Sequence, residues 1–402
     1  MARDFNNIVD YVRAQLDTFE ERDVCRLDSL VLSQLAYLRL PEGVASSDED
    51  AVPLKDLFRA DWFDAMCSKV YDPKSSLELL TAVAASPRFR EVLMSGYVSK
   101  VNEVAEQQFS AMTFTLYEDA TFVAFRGTDN TLVGWKENFN MAFRDVVPAQ
   151  EEAVTYVKRI GDALRCSLWL GGHSKGGNLA LFATANCDPL TRLRIERCYA
   201  FDAPGLSQRA LSTSYWDDAV PLIERIMPEE SIVGLLLWET NDVQPTIVRS
   251  SNGWLMQHAA LSWQVEGQDF ATVRAVSYDT YLTGKRLSAW LATLGNADRE
   301  RFVEILYKLA QATGEVTFGG LIQSVQTDSL DLVLRKLDGL PEADRAFFAE
   351  ACDDLVATLL LGPAPTTPQT PKEHVAAASD KIDDLTARFD STLSRIEKYA
   401  GL

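Results

Sequence analysis

The stretch SLWLGGHSKGGNLALFATA, residues 167–185, decides the fold. SLWLGG reads as a buried strand and KGGNLALFATANC as a helix, with Gly172, His173, Ser174, Lys175 and Gly176 making GxSxG between them. In a strained strand-to-helix turn that presents a serine hydroxyl, only small residues fit two positions before and two after the serine. Larger side chains there would strike the neighbouring strand and helix. GxSxG alone is a weak signal, because Gly and Ser are common in ordinary turns, and its placement between strand and helix is what gives it meaning. Ser174 is therefore the candidate nucleophile.

Upstream, AMTFTLYEDATFVAFRGT reads as two strands joined at Glu118 and Asp119, rich in Thr, Phe, Val and Tyr. EEAVTYVKRIGDAL then reads as a helix, and downstream ERCYAFDAPG repeats the pattern of an apolar run ending in a polar turn. Alternating strands and helices predict a mainly parallel sheet covered by helices, an α/β architecture. Nearer the start, Asp28 is placed to cap a helix through LDSLVLSQLAYLRL that ends before Pro41 and Gly43, and the segment from there to about residue 110 reads as mixed and largely helical.

From about Arg286 the strand signals vanish, so residues 1–285 form the expected main domain and 286–361 a helical appendage. Residues 362–375 hold the Pro-rich GPAPTTPQTP linker. In 376–402, Ile382, Leu385, Phe389, Ile396 and Tyr399 form a narrow stripe on a charged helix. That stripe suits either self-association with a partner helix or packing on its own domain.

With 402 residues, 47% hydrophobic, the chain can bury a large core. Its 39 basic against 58 acidic residues give a formal charge of -19, which repels nucleic acid and anionic headgroups. No basic stretch leads into an apolar core at the start and no apolar run has the length of a membrane span, so a cytoplasmic protein is expected. The six cysteines form no CxxC pair and are expected as free thiols. No metal cluster and no phosphate loop stand out, and no cofactor is expected.

A serine hydroxyl needs a base, and the chain has three histidines, His173, His258 and His374. His173 occupies the variable position of the turn, expected to point away from the base's place, and His374 follows the Pro-rich linker. His258, in NGWLMQHAALSW, remains as the candidate base, the alternative being a core histidine among apolar neighbours. The oxyanion that attack generates needs donors. The backbone N–H of Lys175 is one source, and the N–H and hydroxyl of Thr128, which closes FVAFRGT, are the other, the alternative being that Thr128 is only a turn residue before Asp129 and Asn130.

VAFRGTDNTLVGWKENF followed by GGHSKGGNLA resembles the class 3 (fungal-type) lipases. The run from DSLVLSQLAYL through FRGT, GHSKGGNLA, FDAPG, SIVG and QH resembles, more closely, a family of bacterial lipase-like domains of unknown function, over roughly residues 1–285. The resemblance implies an α/β-hydrolase fold with a helical C-terminal appendage. It also implies hydrolysis of acyl esters, lipid esters or amides through an acyl-Ser174 intermediate. It places residues 130–147, with Leu132, Val133, Trp135, Phe139, Met141 and Phe143, where those lipases carry a lid; a surface helix facing the core is the alternative. The acid departs from the pattern: EESIVG puts Ser231 where the class 3 lipases have an aspartate. Asp202, closing CYAFD before APG, resembles the acid of pancreatic-type lipases at the end of the strand after the elbow's helix. It is the candidate, unless it only ties that turn, with Glu230, Ser231 and Asp242 in reserve. The missing aspartate also motivates a second reading, an interaction protein on a hydrolase scaffold.

Overall fold

The computed structural model describes residues 5–102, 107–128, 137, 140–141, 144, 146–238, 242–312 and 339–361. The chain opens with α1 (Ile8–Ala14), α2 (Arg26–Leu35) and α3 (Pro73–Ala85). The helix predicted to start at Asp28 begins earlier. Asp28 sits inside its first turn and bonds back to the Cys25 N–H at 2.9 Å, while Tyr11 and Arg88 hold its other oxygen at 2.8 Å each. After the two-residue strand β1 (Val52–Pro53), the long strands of the sheet are β2 (Leu93–Asn102), β3 (Gln107–Tyr117) and β4 (Ala120–Phe125). After α4 (Pro148–Ala163) come β5 (Ser167–His173), α5 (Lys175–Asn186), β6 (Ile195–Phe201), β7 (Ile223–Pro228) and β8 (Thr246–Val248). A small hairpin, β9 (Val265–Glu266) and β10 (Asp269–Phe270), precedes β11 (Thr272–Val273). Among the described residues three helices follow, α6 (Tyr278–Thr293), α7 (Asn296–Ala312) and α8 (Glu342–Leu361).

Nine strands form one sheet in the order β1-β2-β3-β4-β5-β6-β7-β8-β11. β4 through β8 pair in parallel; β1 to β4 and the β8–β11 edge pair antiparallel. This is an α/β-hydrolase-like fold with flanking helices on a mixed sheet whose centre is parallel. Because β4 to β8 lie side by side in chain order, right-handed crossovers all fall on one face. That face carries α4 and α5 against Val123, Phe125, Leu168 and Leu170. The opposite face, Phe122, Ala124, Tyr199 and Phe201, is left to the N-terminal helices, whose Val9, Leu30 and Leu80 join the same cluster. The crossover rule thus explains why some ninety residues of helix and loop precede the first long strand.

β2 falls in the segment read from sequence as largely helical. Gly96, with φ of +61°, breaks its register with β3 between Ser95 and Val98, and the Gly96 and Tyr97 N–H groups turn instead to Ser47 and Ala45 carbonyls. A bulge of this kind destroys the period-2 alternation by which a strand is recognised. One more observation concerns the C-terminal half. The boundary expected between 285 and 286 falls inside α6, and α6, α7 and α8 pack through Trp290, Phe302 and Phe348. The Pro-rich linker, the tail and the predicted helix over LIQSVQTDSLDLVLRKLDG lie outside the described residues, the last apart from Gly339. Among the described residues no helix is long and apolar enough to cross a membrane.

Candidate active site

Ser174, Lys175, Thr128, Asp202 and His258 collect at the carboxyl ends of the central strands, where open α/β sheets bind ligands. Ser174 follows β5 and precedes α5 with φ 59° and ψ -128°. Its N–H still reaches the Phe201 carbonyl of β6 at 2.8 Å, so the chain turns while anchored to the neighbouring strand. The glycines around it have a steric origin. A Cβ on Gly172 would lie 2.7 Å from Gly177 N, one on Gly176 2.9 Å from Gly127 N, and one on Gly177 2.6 Å from Ala203 Cβ. A left-handed serine costs of order 1–3 kcal/mol, which persists only where the surroundings fix it.

His258 ends a short 3-10 turn, Trp254–His258. Its Nδ1 lies 2.6 Å from Asp202 Oδ2, and Asp202 is wholly buried. An ionised carboxylate only accepts, so the proton sits on Nδ1 and the Nε2 lone pair is free to act as a base. Asp202 is the second left-handed non-glycine residue here, with φ 43°. Its N–H bonds to Ile226 O of β7 at 2.7 Å, which aims the side chain out of the strand end. Its other oxygen, Oδ1, accepts from Ser231 Oγ, and Ser231 Oγ accepts in turn from Gly234 N at 3.0 Å. The serine standing where the class 3 lipases have their aspartate therefore donates to the carboxylate on the neighbouring strand. The reserve residues bond elsewhere: Glu230 pairs with Gln257 Nε2 at 2.9 Å, and Asp242 accepts from Trp216 Nε1 at 3.3 Å.

A family model described as Mbeg1-like matches residues 83–308, more than half of the chain and the whole of the sheet from β2 onward. The chain belongs to the Mbeg1-like family. Among solved structures it is similar to M37 lipase, at 13% identity over 62% of this chain and 83% of that one, with a TM-score of 0.31. It is also similar to the Rhizomucor miehei lipase propeptide complex (13%, 52% and 77%, TM-score 0.29) and to Lip2 lipase from Yarrowia lipolytica (12%, 46% and 82%, TM-score 0.28). Comparison with curated proteins finds no match.

His173 differs from expectation in this Mbeg1-like chain. Its ring does not point away from the base but lies 4.6 Å from the His258 ring. Its Nε2 is 2.8 Å from the His258 carbonyl, which can only accept, so Nε2 carries the proton and Nδ1 accepts from Tyr37 OH at 3.0 Å. Burial, helped by the nearby His258, holds the His173 pKa well below the usual histidine value. A neutral His173 can lie against His258 without opposing an imidazolium there. Trp263, fully buried, donates to Gln257 O at 2.8 Å and closes the other side of this turn. Among the described residues no hydrogen bond joins Ser174 Oγ to His258; such bonds are commonly long before substrate binds.

Lys175 N opens α5, where the first N–H groups lack helical partners and the dipole is positive. Thr128 Oγ1 is buried and makes no hydrogen bond among the described residues. Both belong to one corner, since Gly127 packs against the carbonyl of His173: a Cβ at 127 would lie 2.6 Å from that oxygen. Behind the acid, Arg225 donates to Gly234 O and lies 4.2 Å over the Trp238 ring. Burial pulls its pKa down to about 10 against the attraction of Asp202, which leaves it a cation at neutral pH. Sequence reading missed Tyr37, Trp263 and Arg225. Of the proposed lid, Leu132, Val133, Trp135, Phe139 and Phe143 lie outside the described residues, as does His374, while Met141 is buried.

Proposed function

We propose that this Mbeg1-like chain is a serine hydrolase that cleaves acyl esters, lipid esters or amides among them, through an acyl-Ser174 intermediate. The observation that carries the reading is the 2.6 Å bond from buried Asp202 to His258 Nδ1, beside a serine held in a left-handed turn. His258 Nε2 takes the Ser174 proton as Oγ attacks the substrate carbonyl. The oxyanion is received by the N–H of Lys175 and by Thr128, whose buried hydroxyl has a donor to offer. Collapse expels the alcohol of an ester or the amine of an amide, which takes its proton from His258, and a water repeats the sequence to release the acid.

The scaffold reading rests on Ser231 standing where an aspartate is expected. With Asp202 bonded to both His258 and Ser231, that serine supports a carboxylate and leaves no gap, and the enzyme reading is the stronger. A fluorophosphonate probe tests it. Wild type should label and should hydrolyse p-nitrophenyl esters of short acyl chains; Ser174→Ala should do neither while unfolding at a similar temperature, and His258→Ala should be almost as inactive. Wild-type protein that never labels would sink the enzyme assignment.

A further inference from the structure

The elbow requires nothing of the side chain that follows its nucleophile, yet Lys175 is buried to 1% exposure. Its Nζ donates to Glu137 Oε2 and, at 2.6 Å, to the Gln108 carbonyl. Glu137, also wholly buried, accepts in addition from Gln108 N at 2.8 Å and from Ala149 N at 3.3 Å. One carboxylate thus gathers the start of β3, the first turn of α4 and the residue after Ser174. Glu137 itself lies between Thr128 and α4, in the connection whose first residues carry the other oxyanion donor. A buried ion pair is poor evidence of stabilisation, because desolvating both charges offsets most of their attraction; its best-attested use is to fix one arrangement among several. The arrangement fixed here is that of Lys175 against the start of β3, the strand that pairs with the β4 end leading to Thr128.

We propose that Lys175 and Glu137 are positioning residues for the oxyanion site. This rests on the acyl-transfer reading. Through Gln108 the Lys175 side chain is tied to the start of β3, and the Ser110 carbonyl of that strand accepts the Arg126 N–H at 3.0 Å, two residues before Thr128, so the pair sets the two segments that carry the donors. Removing one partner would strand a buried charge, so the test removes both, as K175M/E137Q in the full chain. Three quantities are read: kcat and KM for p-nitrophenyl butyrate per site titrated with fluorophosphonate, inhibition by phenylboronic acid, and the unfolding temperature. The boronate mimics the tetrahedral oxyanion on Ser174 and the ester ground state does not. Positioning predicts kcat per titrated site down by about a hundredfold, as for loss of one oxyanion donor, with KM changed less than about threefold and boronate affinity falling in step with kcat. A double variant with lowered unfolding temperature but wild-type kcat per site and wild-type boronate affinity would overturn the proposal and leave the pair a structural clamp. Wild type that neither labels nor turns over would overturn the acyl-transfer reading, and this one with it.

Discussion

Asp202 and Ser231 share one niche, and their order of importance follows from charge. In the proposed mechanism Asp202 supplies the negative charge that stabilises a His258 imidazolium and keeps its Nδ1 protonated, and Ser231 supplies a hydrogen bond to that charge. Asp202→Asn should lower kcat on the order of 10⁴-fold, the loss seen when a triad acid is made neutral, while Ser231→Ala, losing one bond to a charged acceptor, should lower it roughly tenfold. Steady-state ester hydrolysis with parallel thermal unfolding checks the ranking; an inverted order would move the acid's role to the 231–234 turn. His173 makes a separate prediction about stability. Its folded pKa is depressed, so below the ordinary value of about 6.5 the unfolded chain binds a proton that the folded chain refuses. Stability from this group is therefore level above about pH 6.5 and falls as pH drops below it, by up to about 1.4 kcal/mol per pH unit until His173 itself protonates. Urea unfolding of wild type and His173→Gln between pH 7 and 5 should show the flatter dependence in the variant. Parallel curves would mean that His173 protonates normally in the fold.

At the scale of elements, what could be read from sequence was what leaves a local signature. β3, β4, α4, β5, α5 and β6 have continuous apolar runs or clear punctuation, and the Glu118-Asp119 turn sits where the hairpin reverses, with Tyr117 opposite Ala120. β2 was hidden by its Gly96 bulge, and β8, with three residues, has no period to detect. The site divides in the same way. Ser174 is legible because the glycines around it form a short local motif between a strand and a helix, Gly172 forced by the turn itself and Gly176 and Gly177 by the neighbouring strand ends. His258 follows from scarcity, three histidines in the whole chain, and Asp202 from its place at a strand end. Tyr37 and Glu137 carry no local mark, since each acts through a partner far along the chain: Tyr37 bonds to a residue 136 positions away and Glu137 to one 38 away. The expectation that His173 turns away failed for a related reason. Spacing gives the direction in which a side chain leaves the elbow, but only the fold brings the Trp254–His258 turn to meet it.

At the scale of the whole molecule, the C-terminal helices are continuous with what holds the acid. The Ser277 N–H, at the entry to α6, bonds to the Glu229 carbonyl at 2.8 Å, and Gly284 packs so closely on the Val233–Leu235 turn that a Cβ would lie 2.8 Å from Leu235 Cδ1. That turn also provides the Gly234 N–H to Ser231 and the Gly234 carbonyl to Arg225. The seat of α6 therefore sits two bonds from the Asp202 carboxylate. Gly284→Ala brings a methyl against Leu235 Cδ1, which can rotate away, and within 3.2 Å of Leu235 Cβ, which must give by a few tenths of an ångström, and it gains up to about 1 kcal/mol in helix propensity, so it should be close to neutral with near-normal activity. Gly284→Leu has the same propensity gain but must push the turn aside, an overpacking of typically 1–3 kcal/mol. The two contributions nearly cancel in stability, whereas displacement of the turn does not cancel in the geometry of the acid, and a shift of about 1 Å can lower turnover as much as a hundredfold. Gly284→Leu should then unfold within a few degrees of wild type at roughly 2–4 °C per kcal/mol, yet show kcat reduced tenfold or more. Normal turnover in that variant would make α6 a passive neighbour of the turn, and the acid's support would end at Ser231 and Arg225.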